Sequence, residues 1–185
     1  MSLIPACPHC VADRPSRRSL LAGIAAGAAA PIVGAPPAAA ASAAADEKFM
    51  RIAIAEARHA DFPFGAAIVR DGRVLALGRN LGRTTDDPTA HGEMVAIRRA
   101  LARHGSKALN GATLYTSGEP CPMCMGAILW CRFGRLVFAA SIQQLATKID
   151  QIMVSSTELA AKATHAPIEI TGGVLADEAM ILFAK

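Results

Sequence analysis

The sequence lacks a strong basic cluster outside its N-terminal segment. The formal net charge of the 185 residues is +4, but Arg14, Arg17 and Arg18 stand near the front with only Asp13 against them. The remainder is close to neutral, whereas binding to a polyanion relies on clustered lysines and arginines. No nucleic-acid partner is therefore expected.

The sequence also lacks a long uninterrupted apolar run and any internal repeat. Its most apolar stretch, LLAGIAAGAAAPIVG, is shorter than the roughly 20 residues of a spanning helix and contains glycines and a proline. An uncleaved membrane anchor or an unstructured tail is therefore the weaker interpretation of this segment. Hydrophobic residues make up 52% of the chain, which is enough for the core of one domain of ordinary size.

The N-terminal segment has the pattern of an export signal. RPSRRSLL at residues 14–21 is a basic front, the apolar stretch follows it, and Ala41-Ser42-Ala43 is a candidate cleavage site. The pair Arg17-Arg18, followed by two leucines, resembles the twin-arginine class of bacterial signals. We expect residues 1–43 to be a cleaved twin-arginine-type signal, with the export machinery as a partner and a periplasmic mature protein of residues 44–185.

The motif CPHC near the start places a histidine between Cys7 and Cys10. These residues precede the apolar part of the predicted signal and would leave with it. We therefore expect no functional metal site there.

Periodicity and turn residues in the mature part predict alternating strands and helices. Asp46 is predicted to cap a helix through EKFMRIAIAEARHA, and Asp71-Gly72 to join two strands as a hairpin. A helix from about residue 91 to 104, the strand ATLYTS, a helix in CPMCMGAILWC and the strand RLVFAA follow. A helix near residues 157–163, the strand PIEIT and a last helix complete the chain. This order predicts an α/β fold, a three-layer α/β/α sandwich with a mixed five-stranded sheet.

Two predicted helix starts carry residue types that suit a metal. Cys121 and Cys124, in EPCPMCMGAILW, can direct both sulfurs to one point at a helix N-terminus, where the dipole favours thiolates. His91, in PTAHGEMVAI, lies at a similar helix start, and two thiolates with one imidazole suit Zn²⁺. The pattern offers no obvious fourth protein ligand. Three protein ligands are typical of a catalytic zinc site, which keeps its fourth position for water.

Glu93 lies two residues from His91 and is a candidate proton carrier. A carboxylate at this spacing can lie near a metal without binding it, and Gly92 between them leaves a backbone amide uncovered. A redox pair or disulfide at Cys121 and Cys124 is one alternative, although it does not require His91 or Glu93. A structural zinc without catalysis is the other.

The combination of His-x-Glu with a later Pro-Cys-x-x-Cys is the signature of zinc-dependent deaminases. From about Asp46 onward the chain resembles the cytidine/deoxycytidylate deaminase superfamily, and most of all its guanine deaminase and tRNA adenosine deaminase branch. The matching segments are PFGAAIVRDG, GRN, DDPTAHGE and LYTSGEPCPMCMGAILW. The resemblance implies that His91, Cys121 and Cys124 bind zinc and that Glu93 is the catalytic proton shuttle. A homodimer is also expected.

The same resemblance implies substrate contacts. Asn80 matches an asparagine that hydrogen-bonds the substrate, Phe64 an aromatic near the base, and the carbonyl of Glu119 an acceptor for the leaving amino group. The amide of Gly92 would meet the substrate oxygen; the family usually has alanine there, and we expect the change to be tolerated. Trp130 is a further candidate for binding the substrate. Alternatively, it packs in the core or at an interface.

The substrate is expected to be a free nucleobase or nucleoside, with guanine favoured. PFGAAIV and GAILW are more similar to guanine deaminases than to tRNA adenosine deaminases, and an export signal argues against a cytoplasmic tRNA. Cytosine, adenine or adenosine and an amino-triazine are the alternative substrates. An exported zinc-binding protein without catalysis is the alternative function. The tail after Ala140 resembles family members only loosely, and substrate specificity can reside there.

Overall fold

The computed structural model of the protein describes residues 38–184, and its centre is one five-stranded sheet. The strands are β1 (Gly65–Arg70), β2 (Arg73–Arg79), β3 (Thr113–Gly118), β4 (Arg135–Ala140) and β5 (Glu169–Thr171). Their order is β2-β1-β3-β4-β5; β1 is antiparallel to both of its neighbours, whereas β3, β4 and β5 are parallel. The predicted mixed five-stranded sheet is confirmed.

The hairpin between β1 and β2 turns at the predicted dipeptide. Asp71 and Gly72 have φ angles of 50° and 71°. Two consecutive residues with positive φ form the tight turn whose twist matches that of antiparallel strands, and glycine and aspartate tolerate this conformation best.

Helices cover both faces of the sheet, as predicted for three layers. They are α1 (Ala38–Ala57), α2 (Gly92–His104), α3 (Pro122–Trp130), α4 (Ile142–Leu145), α5 (Ser156–Ala161) and α6 (Ala176–Met180). Alternate strand residues point to opposite faces. Leu114 and Leu136 accordingly pack in one core with α2, α3 and α5, whereas Tyr115 and Val137 pack in a second core with α1 and α6.

Asp46 does not cap the first helix, contrary to the prediction. The helix begins at Ala38, because the alanine-rich residues before Asp46 are strong helix formers and extend it upstream. The buried Asp46 carboxylate instead accepts two hydrogen bonds from the Arg135 guanidinium, at 2.6 and 2.8 Å, and one from the Tyr115 hydroxyl at 2.9 Å. Asp46 therefore ties α1 to the middle of the sheet.

Most of the predicted export signal, with Cys7 and Cys10, lies outside the described residues. Its candidate cleavage site, Ala41-Ser42-Ala43, falls in the first part of α1. Within residues 38–184, none of the helices has the length and apolar character that crossing a membrane requires.

Candidate zinc centre and active site

His91, Cys121 and Cys124 lie together at the starts of two helices. His91 immediately precedes α2 and Cys121 immediately precedes α3, while Cys124 is in the first turn of α3, which Pro122 opens. The Nδ1 atom of His91 is 3.6 Å from the Sγ atom of Cys121 and 3.6 Å from that of Cys124. Both sulfurs are free of disulfide bonds.

These distances fit a tetrahedral zinc ion. With Zn–S bonds of about 2.3 Å and a Zn–N bond of about 2.05 Å, the tetrahedral angle separates nitrogen and sulfur by about 3.6 Å. The three ligand atoms lie within 4.8 Å of one another, and within residues 38–184 no fourth side chain joins this cluster. The donor set is therefore that of a zinc site with one position left for a non-protein ligand.

Hydrogen bonds among the three side chains already favour one thiolate. The pKa of Cys121 is lowered to about 4, because its sulfur accepts hydrogen bonds from the Cys124 thiol and from His91. The same hydrogen bond, together with burial, raises the pKa of Cys124, and the hydrogen bond to Cys121 raises the pKa of His91. Because a zinc-bound cysteine is a thiolate, metal binding displaces the remaining thiol proton.

Glu93 lies in the first turn of α2 and is almost fully buried, with 4% of its surface exposed. Burial raises its pKa above the ordinary value, and its carboxyl group lies within hydrogen-bonding reach of Cys124. A carboxyl group with a raised pKa is suited to accept and return a proton near neutral pH. The geometry thus places a buried carboxyl group next to the three candidate zinc ligands.

The start of α2 is pressed directly against neighbouring backbone. A Cβ atom at Gly78 in β2 would lie 2.2 Å from the carbonyl oxygen of Gly92, so only glycine fits there. A Cβ atom at Gly92 itself would lie 3.0 Å from the carbonyl oxygen of Phe64 and 3.2 Å from the Cα atom of Gly65. The alanine that is usual in the family would therefore require the entry to β1 to shift by a few tenths of an ångström.

A cavity of about 330 Å³ opens beside the zinc ligands, within the size range of small-molecule sites. Five of the predicted site residues line it, namely Phe64, Asn80, His91, Glu119 and Cys121. Its other lining residues are Phe62, Ile149, Asp150, Gln151 and Ile152. The structure thus brings the two motif segments and part of the C-terminal tail to one cavity.

Asn80 and Phe64 are held firmly in the cavity wall. The Oδ1 atom of buried Asn80 accepts a hydrogen bond from the Gly82 amide at 3.0 Å. Within the described residues its amide nitrogen has no partner, which leaves N–H donors for a ligand. The Phe64 ring packs edge-on against Phe183, with ring centroids 5.3 Å apart, and lies over Gly118.

Trp130 lies away from this cavity. Its side chain is 76% exposed at the end of α3 and stacks on His165, with ring centroids 4.5 Å apart. The exposure excludes a place in the core of the chain. It favours the interface alternative over contact with a substrate in this cavity.

Residues 149–152, which supply four of the cavity residues, were not predicted from the sequence. Specificity was expected in the tail after Ala140, but at no particular residue. A local pattern was available, because Ser141 with Gln144 and Ser155 with Glu158 form capping boxes at the starts of α4 and α5. These two boxes bracket the segment.

Comparison with known proteins agrees with this geometry. The sequence model of the cytidine and deoxycytidylate deaminase zinc-binding region matches residues 43–140. The chain belongs to the cytidine and deoxycytidylate deaminase family. Zinc is the metal that this family and the donor set of His91, Cys121 and Cys124 share.

Guanine deaminases and tRNA-specific adenosine deaminases are among the similar proteins. The chain is 53% identical over 78 residues to a guanine deaminase of Bacillus subtilis, a match that covers 42% of the chain and 50% of that relative. It is 39% identical over 138 residues to a tRNA-specific adenosine deaminase of Haemophilus influenzae, covering 72% of the chain and 78% of the relative. A protein crystallised with 8-azaguanine is 27% identical, with a TM-score of 0.65 over 74% of this chain and 81% of that one. The fold predicted from the sequence is therefore the fold of known deaminases.

Proposed function

We propose that the protein is a zinc-dependent hydrolytic deaminase of a free nucleobase or nucleoside, with guanine favoured. The observation that supports this is the meeting of three features at one place. The zinc-type donor set, the buried Glu93 and a cavity of about 330 Å³ adjoin one another. A structural zinc site or a redox pair would need neither the cavity nor the carboxylate.

His91, Cys121 and Cys124 hold the zinc ion in this proposal. When bound, zinc lowers the pKa of a water molecule from 15.7 to about 7 and so supplies a nucleophile at neutral pH. Glu93 takes the proton of the attacking water and delivers it to a ring nitrogen of the base. The water oxygen bonds to the carbon that carries the amine, the C–N bond breaks, and ammonia leaves with a proton passed on by Glu93.

The remaining cavity residues bind and orient the base. The amide nitrogen of Asn80 donates to an acceptor on the base, and Phe64 packs against the ring. The backbone amide of Gly92 donates to the oxygen that develops at the reacting carbon. The backbone carbonyl of Glu119 accepts a hydrogen bond from the amino group before it leaves. These contacts fix the reacting carbon beside Glu93.

The chemistry of the cavity wall supports guanine in particular. Guanine loses the amino group on C2, so this carbon faces the zinc ligands while N1–H and O6 face the rest of the cavity. The Asp150 carboxylate can accept from N1–H, and the Gln151 amide can donate to O6. Adenine has no N1–H to offer that carboxylate. The similarity to a guanine deaminase and to a protein crystallised with 8-azaguanine agrees with this choice.

The test is ammonia release by zinc-loaded protein from guanine, cytosine, adenine, adenosine, an amino-triazine and a tRNA anticodon stem-loop. We expect guanine to be turned over fastest. Glu93→Gln should keep its zinc and its fold but lose about 10²–10⁴-fold in kcat. Glu169→Gln, at an exposed carboxylate remote from the cavity, is the control and should retain full activity. If the stem-loop is turned over fastest, the preferred substrate is tRNA and not guanine. A fully active Glu93→Gln variant would refute the proton-carrier role of Glu93.

We also propose that residues 1–43 direct export by the twin-arginine route. Export would separate the enzyme from cytoplasmic tRNA, which supports a free base or nucleoside as the substrate.

The expected homodimer remains a prediction. Sedimentation of the zinc-loaded protein tests it.

A further inference from the structure

The side chain of Glu119 is buried, with 6% of its surface exposed, yet its carboxylate is not one of the zinc-type donors. Its Oε2 atom accepts a hydrogen bond from the backbone amide of Ile142 at 2.9 Å, and its Oε1 atom accepts one from the amide of Ser156 at 2.7 Å. Ile142 is the first residue of α4 and Ser156 is the first residue of α5. One carboxylate therefore holds the starts of two helices.

This arrangement satisfies amides that a helix leaves unpaired at its start. The capping boxes at Ser141 and Ser155 bind the amide of the third helical residue and the amide of the cap itself, but not that of the first helical residue. The Glu119 carboxylate binds the missing amide in both helices. A negative charge at this position also interacts favourably with the positive ends of both helix dipoles.

The segment between these two attachment points forms one wall of the cavity. Residues 149–152 line the cavity, and two of the four, Asp150 and Ile152, are exposed, Ile152 to 62%. Of these residues Ile149 packs against the core beside α1 and α6, so the position of the segment depends on that contact and on how its two ends are held. Both ends rest on Glu119.

The backbone of Glu119 is also close to the candidate zinc ligands. It lies two residues before Cys121 in the chain, and its backbone amide donates to the carbonyl of Ala140 at 2.7 Å, where β3 and β4 end. The residue that anchors the wall is thus fixed with respect to the zinc ligands.

We propose that the carboxylate of Glu119 is a positioning residue that sets the distance between the 149–152 wall and the zinc centre, and thereby the choice among bases. The proposal rests on the proposed function insofar as the cavity receives a base. It gives the side chain of Glu119 a role separate from that of its backbone carbonyl.

Glu119→Gln is the variant that tests the anchor. Glutamine has the same size but offers a single oxygen, and its amide group would face an amide that also donates. We expect hydrogen exchange of residues 142–156 to accelerate while exchange in α2 and β3 stays unchanged. The KM for guanine should rise about 10- to 100-fold, as expected for one lost hydrogen bond to a charged group, with a smaller change in kcat. The preference for guanine over adenine should narrow, and zinc content should not change.

Two matched variants separate anchoring from loss of local stability. Ser156→Ala keeps the amide that Glu119 binds and removes a buried hydroxyl that has no partner among the described residues, so it should behave as the parent protein. Glu158→Gln weakens the exposed capping box of α5 without touching Glu119, so it should accelerate exchange in α5 but leave base preference unchanged. Glu119→Asp keeps the charge but withdraws the oxygens, and it substitutes for Glu119→Gln if that variant does not fold.

Unchanged exchange of residues 142–156 in Glu119→Gln would overturn the proposal. Faster exchange in Glu119→Gln with an unaltered base preference would also overturn it. So would a change in base preference in Glu158→Gln as large as that in Glu119→Gln. The dissociation constant of 8-azaguanine, measured by calorimetry, gives a readout that does not depend on turnover. If the parent protein deaminates no base, the proposed function fails, while exchange and 8-azaguanine binding still decide whether Glu119 anchors the wall.

Discussion

Removing one partner of the ion pair between Asp46 and Arg135 should cost the protein much of its stability. The Asp46 carboxylate receives hydrogen bonds from two guanidinium nitrogens and from the Tyr115 hydroxyl. Asp46→Asn removes the charge but keeps the shape. It leaves the guanidinium of Arg135, whose side chain is only 20% exposed, facing a neutral amide.

The expected loss is about 3 kcal/mol in the free energy of unfolding. Breaking a buried ion pair by removing one partner typically costs about 3–5 kcal/mol. The lower end applies, because Arg135 also donates to Glu169 at 3.0 Å and keeps some contact with water. For a domain of this size, about 3 kcal/mol corresponds to roughly 6–12 °C in the melting temperature.

The effect should depend on pH in one direction. Burial alone would raise the pKa of Asp46, but hydrogen bonds from Arg135 and Tyr115 outweigh it and hold the pKa below its ordinary value of 3.8. A lowered pKa stabilises the folded protein fully above the unfolded-state value, and this stabilisation is lost as the pH falls through the folded-state value. The difference between the parent protein and Asp46→Asn should be constant from pH 7 to about pH 5 and should shrink below about pH 4.

Urea unfolding followed by circular dichroism at pH 7, 5 and 3.5 measures this difference. Taking the difference between two proteins cancels the acid loss of zinc, which affects both equally. Glu169→Gln is the control, since its carboxylate is 69% exposed and pairs with the same arginine; it should cost less than about 1 kcal/mol. A loss below 1 kcal/mol for Asp46→Asn at pH 7, or a difference that does not shrink on acidification, would refute the reasoning.

Three further predictions concern the metal, the packing under it and export. Cys121→Ala should lower the zinc content, measured by elemental analysis, from about one ion per chain to a small fraction, and full retention would exclude Cys121 as a ligand. Gly78→Ala should destabilise the domain by about 2 kcal/mol or more in urea, because the new Cβ atom would lie 2.2 Å from the carbonyl oxygen of Gly92; an unchanged midpoint would show that the backbone yields freely. Replacing Arg17 and Arg18 together by lysine should retain the protein in the cytoplasm on cell fractionation, and unchanged export would contradict a twin-arginine signal.

The parts of the fold that follow from local rules were predictable from the sequence. The Asp71-Gly72 turn requires residues that tolerate positive φ, and the pattern around it identified the hairpin. The starts of α2 and α3 carry His91 and the two cysteines, residue types that suit a shared zinc ion and that the family resemblance also assigns to zinc, so the three side chains were expected to meet. Their separation of 3.6 Å agrees with that expectation.

The parts that depend on long-range pairing were not predictable. Aspartate is a common helix cap, and nothing near Asp46 in the sequence indicates that it pairs with Arg135, 89 residues away in β4. The family resemblance predicted a role for the backbone carbonyl of Glu119 but none for its side chain. The carboxylate accepts hydrogen bonds from backbone amides 23 and 37 residues downstream. The exposure of Trp130 is a third case, because an apolar helix end is compatible with core, interface or cavity until the packing is known.

The junction at Glu119 has a consequence for how enzymes of this shape diversify. The two ends of the segment that lines the cavity are hydrogen-bonded to one carboxylate, which keeps these ends close together. Doubling the length of a loop with fixed ends costs only about 0.6 kcal/mol. Under the proposed function, we therefore expect this segment to be exchangeable, and transplanting the corresponding segment from a relative with another substrate should change the base that is deaminated and leave the zinc ligands in place.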